Sequence, residues 1–193
     1  MHKDLREVHF RHSPTTGPGL EVVALHELAR RIPAGWRTPD RPDFYVLVFV
    51  RRGKGKHMVD FHEYDTCPGS VLLIRPGQVQ RWTFSDSQSG YVLILTKEVV
   101  APSVSRAALD MRLVAFEHWA TSSTLRLEKR NELFEAISRL QRDVLQYREN
   151  EVGSALIQHE LLSLLLRLVA SSDVINGIEP SAETNPVYHL FRK

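Results

Sequence analysis

The chain has a single cysteine, Cys67, in its 193 residues. That excludes an intrachain disulfide and points to a reducing compartment. Cys67 sits in "YDTCPGS" beside a turn, reads as a small loop residue, and has no base nearby to make it a nucleophile. Long apolar runs are also missing. The longest lies in "LLSLLLRLVA", where a spanning helix needs about 20 residues. The N-terminus, "MHKDLREVHFRHSPTTGPG", has no apolar core and so is no secretory signal. These absences predict a cytoplasmic protein. Charge of one sign is scarce too. The net charge is +2 with scattered arginines, a balance that selects neither nucleic acid nor membrane. No Ser/His/Asp set and no paired carboxylates stand out, so no catalytic residue is assigned.

What is present is strand-like and then helical. The first twenty residues are polar, end in "SPTTGPG" and read as a flexible arm. "LEVVALHEL" and "DFYVLVFVRRG" are β-branched or aromatic and bounded by turn residues, as strands are. "KHMVDF", "EYDTC", "SVLLI", "QRWTF" and "GYVLILT" continue the series. Turns fall at residues 53–55, 68–69, 76–77 and 85–89. Short strands at this spacing predict a β-sandwich or barrel over residues 21–100.

Near residue 100 the period changes. "RAALDMRLVAFEHWA" reads as a helix. Leu133, Ile137, Leu140 and Val144 are spaced four, three, four, and Ile157, Leu161, Leu164 and Leu168 repeat that spacing. Two such helices with a short loop predict an antiparallel hairpin within residues 101–171. Leu162, Leu165 and Leu166 widen the second apolar face. The surplus predicts a homodimer, with the eight spaced residues as its interface; the alternative is that the barrel covers the whole apolar face. Residues 172–186 are a linker by composition, and "VYHLFRK" begins an amphipathic stretch that reads as the start of a truncated helix.

"RRGKGKHMVDF" followed by "CPGSVLLIRPGQVQRW" resembles the signature of the cupin superfamily, a double-stranded β-helix or jelly-roll barrel. Metal-dependent cupins use two His and a carboxylate from a first motif and one His from a second. The resemblance places those positions at Arg41, Asp43, Leu47 and Gln80. Arg is a cation and Leu is apolar, so the expectation is a barrel without metal or other cofactor. The stray imidazoles His26, His57 and His62 supply no His-x-His pair there.

"RPDFYVLVFVRRGKGKHMVDF" and "PGSVLLIRPGQVQRW", with the hairpin and the terminal "VYHLFRK", more specifically resemble the N-terminal domain of AraC-type transcription regulators. The likeness runs over about residues 20 to 193. It implies a mainly β fold with α-helices: a cupin-like barrel that binds a small effector, then a helical hairpin that dimerises. DNA would be bound only through a C-terminal domain outside this chain. Rival readings are a metal-free cupin enzyme and a standalone small-molecule-binding barrel.

If Gln80 faces the interior, Trp82 and Phe84 do too. On the "DFYVLVFV" strand, Asp43, Tyr45, Leu47 and Phe49 share one face and Phe44, Val46 and Val48 the other; the resemblance puts Asp43 and Leu47 at ligand positions, so the first set is expected to face inward. The expected ligand contacts are Arg37, Arg41, Asp43, Tyr45, His57, Gln80 and Trp82. An amide and an indole beside aromatic faces suit a small polar molecule with some apolar body.

Overall fold

The computed structural model describes residues 5–11, 19–32, 38–83, 87–100, 119–125, 127–147 and 149–171. Ten strands form two sheets. β1 (Arg6–Val8), β3 (Asp40–Pro42), β8 (Gln80–Arg81), β5 (Gly55–Val59) and β6 (His62–Thr66) make the first, in the order β1-β3-β8-β5-β6. β10 (Ser122–Thr124), β7 (Ser70–Ile74), β4 (Tyr45–Arg52), β9 (Ser89–Leu95) and β2 (Leu20–Ala24) make the second, in the order β10-β7-β4-β9-β2. Short helices α1 (Leu25–Arg31) and α2 (Lys97–Val100) follow β2 and β9. The long helices α3 (Leu127–Tyr147) and α4 (Glu151–Ser171) form the predicted hairpin. The fold is mainly β with α, two sheets followed by the hairpin. The helix expected over residues 106–120 lies almost wholly outside the described residues.

Alternation on β4 splits the core in two. Phe44, Val46, Val48 and Val50 face the space between the sheets, with Val23, Val59, Leu72, Ile74, Trp82 and Val92. Leu47 and Phe49 face the other way, with Leu20, Val71, Leu73, Leu93 and Leu95, onto the helices. Because side chains along a strand alternate, a one-residue change of register exchanges the faces. The expectation that Asp43, Tyr45, Leu47 and Phe49 face the interior is therefore corrected: it is the even-numbered set that does.

The hairpin face is corrected as well. Leu133, Ile137, Leu140, Val144, Ile157, Leu161, Leu164 and Leu168 are each at most 1% exposed in the single chain. They pack on one another and on the outer face of the second sheet. The four-three-four spacing does mark the buried stripe, but the chain's own sheet covers it. These eight side chains leave nothing for a second copy to bury. The loop between the helices is set by Asn150, whose side-chain oxygen accepts the Gly153 N–H at 2.5 Å, as an N-cap does. A Cβ at Gly153 would stand 2.0 Å from the Tyr147 carbonyl oxygen, so only glycine permits this tight return.

Four local features differ from the sequence expectation. "LHEL" is helical, not the end of a strand. "KHMVDF" breaks at Asp60 and Phe61, both at positive φ (48° and 66°), which form the two-residue turn of the β5–β6 hairpin. Residues 122–124, where the sequence reading places no element, form a strand on β7. Part of the polar N-terminal segment is ordered: Arg6–Val8 pairs in parallel with Asp40–Pro42.

Candidate functional site

The site grows from one row of paired residues across the first sheet. Arg6 on β1 lies opposite Asp40 on β3, and Asp40 lies opposite Gln80 on β8. Gln80 in turn lies opposite Val59 on β5, two residues from His57 on the same face. Residues directly opposite in a sheet share a face, so Arg6, Asp40, Gln80 and His57 form one polar line. Its far side is the apolar inner face of the second sheet, with Val46, Val48, Leu72 and Ile74.

Each polar group is held by the next. Arg6 donates to Asp40 Oδ2 at 3.1 Å, and the Asp40 side chain is only 6% exposed. Asp40 Oδ1 is buried without a hydrogen bond of good geometry. Burial pushes the Asp40 carboxyl above its ordinary range; the Arg6 charge and the Gln80 amide pull against it without cancelling it. His57 Nε2 lies 3.3 Å from Gln80 Oε1. The Trp82 ring meets His57 edge to face, with centroids 4.9 Å apart. Burial lowers the His57 imidazole to about 4, against a weaker upward pull from Gln80, so the ring is neutral at pH 7.

A cleft of about 290 Å³ opens beside Arg6, between the N-terminal strand and the second sheet. All six arm residues 6–11 line it, and the sheets supply Phe44, Glu21 and Ile94. Val8 and Phe10 also pack on the interior cluster, Phe10 edge to face on Phe44 at 6.2 Å. The arm is further tied down by Asp43. Its carboxylate accepts from His9 Nδ1 at 2.7 Å and from the Phe10 N–H at 3.2 Å, while its own N–H donates to the Val8 carbonyl. Burial alone would raise Asp43; the bonds from His9 and Phe10 outweigh it and hold the carboxyl below its ordinary value.

Of the seven expected ligand contacts, His57, Gln80 and Trp82 do come together. Asp43 does not join them: it is half-exposed and holds the arm from outside. Tyr45 packs on the helix side of the sheet. Arg41 is exposed on the outer face of β3. Arg37 and Phe84 lie outside the described residues. Asp40 and Arg6 were missed. No sequence signal marks them: every second residue of "REVHFR" and "DRPDF" is covered in the structure, but polar segments this short read as loops in the sequence.

The positions that the cupin resemblance assigns to metal ligands fare no better in the corrected register. Arg41 and Asp43 point outward, and Leu47 is wholly buried on the helix side. Moving by one residue brings in Asp40, Pro42 and Val46, of which only Asp40 has a ligating side chain. Among the described residues, no three His, Cys, Asp or Glu side chains are grouped to hold a metal ion, and no helix is long and apolar enough to cross a membrane.

A family model described as the AraC-like ligand binding domain matches residues 26–166. No curated protein sequence matches. Among solved structures, an apo variant of ToxT from Vibrio cholerae aligns at 12% identity and a TM-score of 0.43, over 79% of this chain and 56% of that one. Wild-type ToxT from Vibrio cholerae bound to an unsaturated fatty acid aligns at 15% and 0.37, over 78% and 55%. The AraC-like transcriptional activator CuxR aligns at 14% and 0.37, over 64% and 42%. This chain thus spans about half the length of those proteins.

Proposed function

Since the chain belongs to the AraC-like ligand binding domain family, we propose that it is the effector-sensing part of a transcription regulator. A small molecule would bind between the two sheets, along the line of Asp40, Gln80, His57 and Trp82. The observation that carries this reading is that line: buried polar groups on one wall and an apolar wall opposite, a lining of the kind small-molecule sites use; the space beside His57 and Trp82 is only about 10 Å³, so a ligand must displace side chains to enter. The proposed way in is the cleft beside the N-terminal strand, which shares Phe44 and Ile94 with the interior cluster. Since that strand forms part of the cleft wall, its docking and ligand binding are linked. A ligand shifts that equilibrium only by its difference in affinity for the two arrangements.

The output would be a dimer carrying DNA-binding domains that lie outside this chain, working in the cytoplasm. The surface for a second copy is the outer side of the hairpin. There Leu145, Val152 and Leu156 are 49%, 82% and 41% exposed, and α4 adds half-buried Leu162 and Leu166. This stripe replaces the eight buried residues as the proposed interface.

The role is proposed as non-catalytic. A His general base needs a partner that keeps its pKa near the working pH. His57 faces a neutral amide, and burial leaves its ring a weak base. The test is a thermal-shift screen of small metabolites against the full chain, repeated on Trp82→Ala. Stabilising compounds should lose their effect in the variant. Compounds that stabilise both equally are bound elsewhere, and the interior site then falls.

A further inference from the structure

Resting on the sensor reading above, we propose that the interior site takes an amphipathic organic cation, an amine or guanidinium with an apolar body, and that Arg6 is its built-in substitute. The arm enters the site as a ligand would. Arg6, Val8 and Phe10 are alternate residues and turn to one side, while Glu7, His9 and Arg11 are exposed. Arg6 places a guanidinium on the buried Asp40 carboxylate. Val8 and Phe10 place apolar groups against the interior cluster, Phe10 on Phe44. One polar head and two apolar groups therefore fill the mouth of the space between the sheets.

The charge of the competitor follows from Asp40. Its side chain is 94% buried and one oxygen already lacks a well-placed partner. Arg6 is the cation paired with it among the described residues. If the arm leaves and nothing cationic replaces Arg6, a buried carboxylate loses its counter-charge, which is strongly unfavourable. A neutral ligand leaves that cost in place, and an anion adds repulsion. A ligand that brings its own N–H donors and positive charge removes it. Nearby groups fit such a head: the Gln80 amide oxygen accepts and the neutral His57 ring adds no repulsion, while Trp82 and Phe44 of the interior cluster supply aromatic surface for an apolar body. The space vacated by Val8 and Phe10 would receive the apolar body. Arm and ligand then exclude one another.

The experiment is chemical rescue on the full chain. Arg6→Ala should lower the melting temperature. Methylguanidinium, compared with sodium chloride at equal ionic strength, should restore a few degrees of it. The same probe should do nothing for the Arg6→Ala/Asp40→Asn double variant and little for the unmodified chain. Rescue that is absent, or equal with and without Asp40, overturns the proposal. A measurement on the unmodified chain avoids any folding defect: hexylammonium should speed tryptic cleavage after Arg6 and Arg11 by releasing the arm. Unchanged cleavage counts against the proposal. If hexanoate stabilises the chain through Trp82 and hexylammonium does not, the cation proposal falls while the sensor reading stands. If Trp82→Ala leaves every small-molecule response intact, both fall.

Discussion

His57 and Gln80 meet between the two sheets, the ring Nε2 3.3 Å from the amide Oε1. The cupin resemblance in the sequence assigns Gln80 to the second-motif histidine position of metal-dependent cupins. Here the position holds a neutral amide that orients a neutral imidazole, and the pair is sealed by Trp82. Among the described residues, the interior therefore has one formal charge pair, Arg6–Asp40, at its mouth and uncharged polar groups within.

Folding stability should fall with acid through His57. Its pKa is about 4 in the folded chain and about 6.5 when unfolded. The folded value is the lower, so between those limits the unfolded chain binds a proton that the native ring refuses. The contribution is complete above about pH 6.5 and is lost as pH drops toward about 4, by about 3 kcal/mol at the lower end. Urea unfolding at about pH 7.5 and about pH 4.5 measures it. His57→Gln should remove most of the difference; an unchanged slope would show that other groups control it.

The two faces of the hairpin should respond differently. Leu164→Ala removes a side chain that is 1% exposed and packed on the sheet. It should cost about 2 to 5 kcal/mol and leave the oligomeric state of the folded protein alone. Val152→Lys with Leu156→Lys should change stability by less than about 1 kcal/mol but abolish self-association. Sedimentation with parallel urea unfolding separates the cases. If the unmodified chain is monomeric at high concentration, the dimer has no support.

The β5–β6 turn holds a removable strain. Phe61 is 71% exposed and sits at φ 66°, where a bulky L-residue is unfavourable. Asp60 is anchored by the Val79 N–H and the Gln78 amide, so the turn cannot relax to another shape. Phe61→Gly should stabilise the chain by about 1 kcal/mol, read as a rise in urea midpoint at constant slope. A loss of stability would mean that the phenyl ring makes contacts that outweigh its backbone.

The site should not be a transition-metal centre. Leu47 faces the helices, Arg41 faces solvent, and Gln80 offers only an amide. Protein purified without chelator should carry no stoichiometric iron, manganese, nickel or zinc by elemental analysis. One equivalent of any of these would overturn the reading.

Much of the fold is written in short-range pattern. The β-branched runs between Pro-Gly and Gly-Lys-Gly turns mark β4, β5, β7 and β9, and the four-three-four leucines mark α3 and α4. Both are local consequences of strand and helix period, so the sequence alone determined them. That Gln80, Trp82 and His57 lie together was expected from the cupin resemblance, which turns Gln80 inward, and from alternation, which turns Trp82 the same way.

Three matters were decided only by the tertiary structure. The inward face of β4 depends on which neighbour each face meets, and Leu47 and Val46 are equally apolar, so the period cannot choose between them. The buried stripe of the hairpin has one hydrophobic pattern whether a sheet or a second copy covers it. Arg6 and Asp40 are 34 residues apart; the parallel pairing of β1 with β3 brings them together. Nothing local marks either residue, because a charged side chain in a short polar segment is ordinarily solvated. Burial makes this pair exceptional, and burial is a property of the assembled sheets.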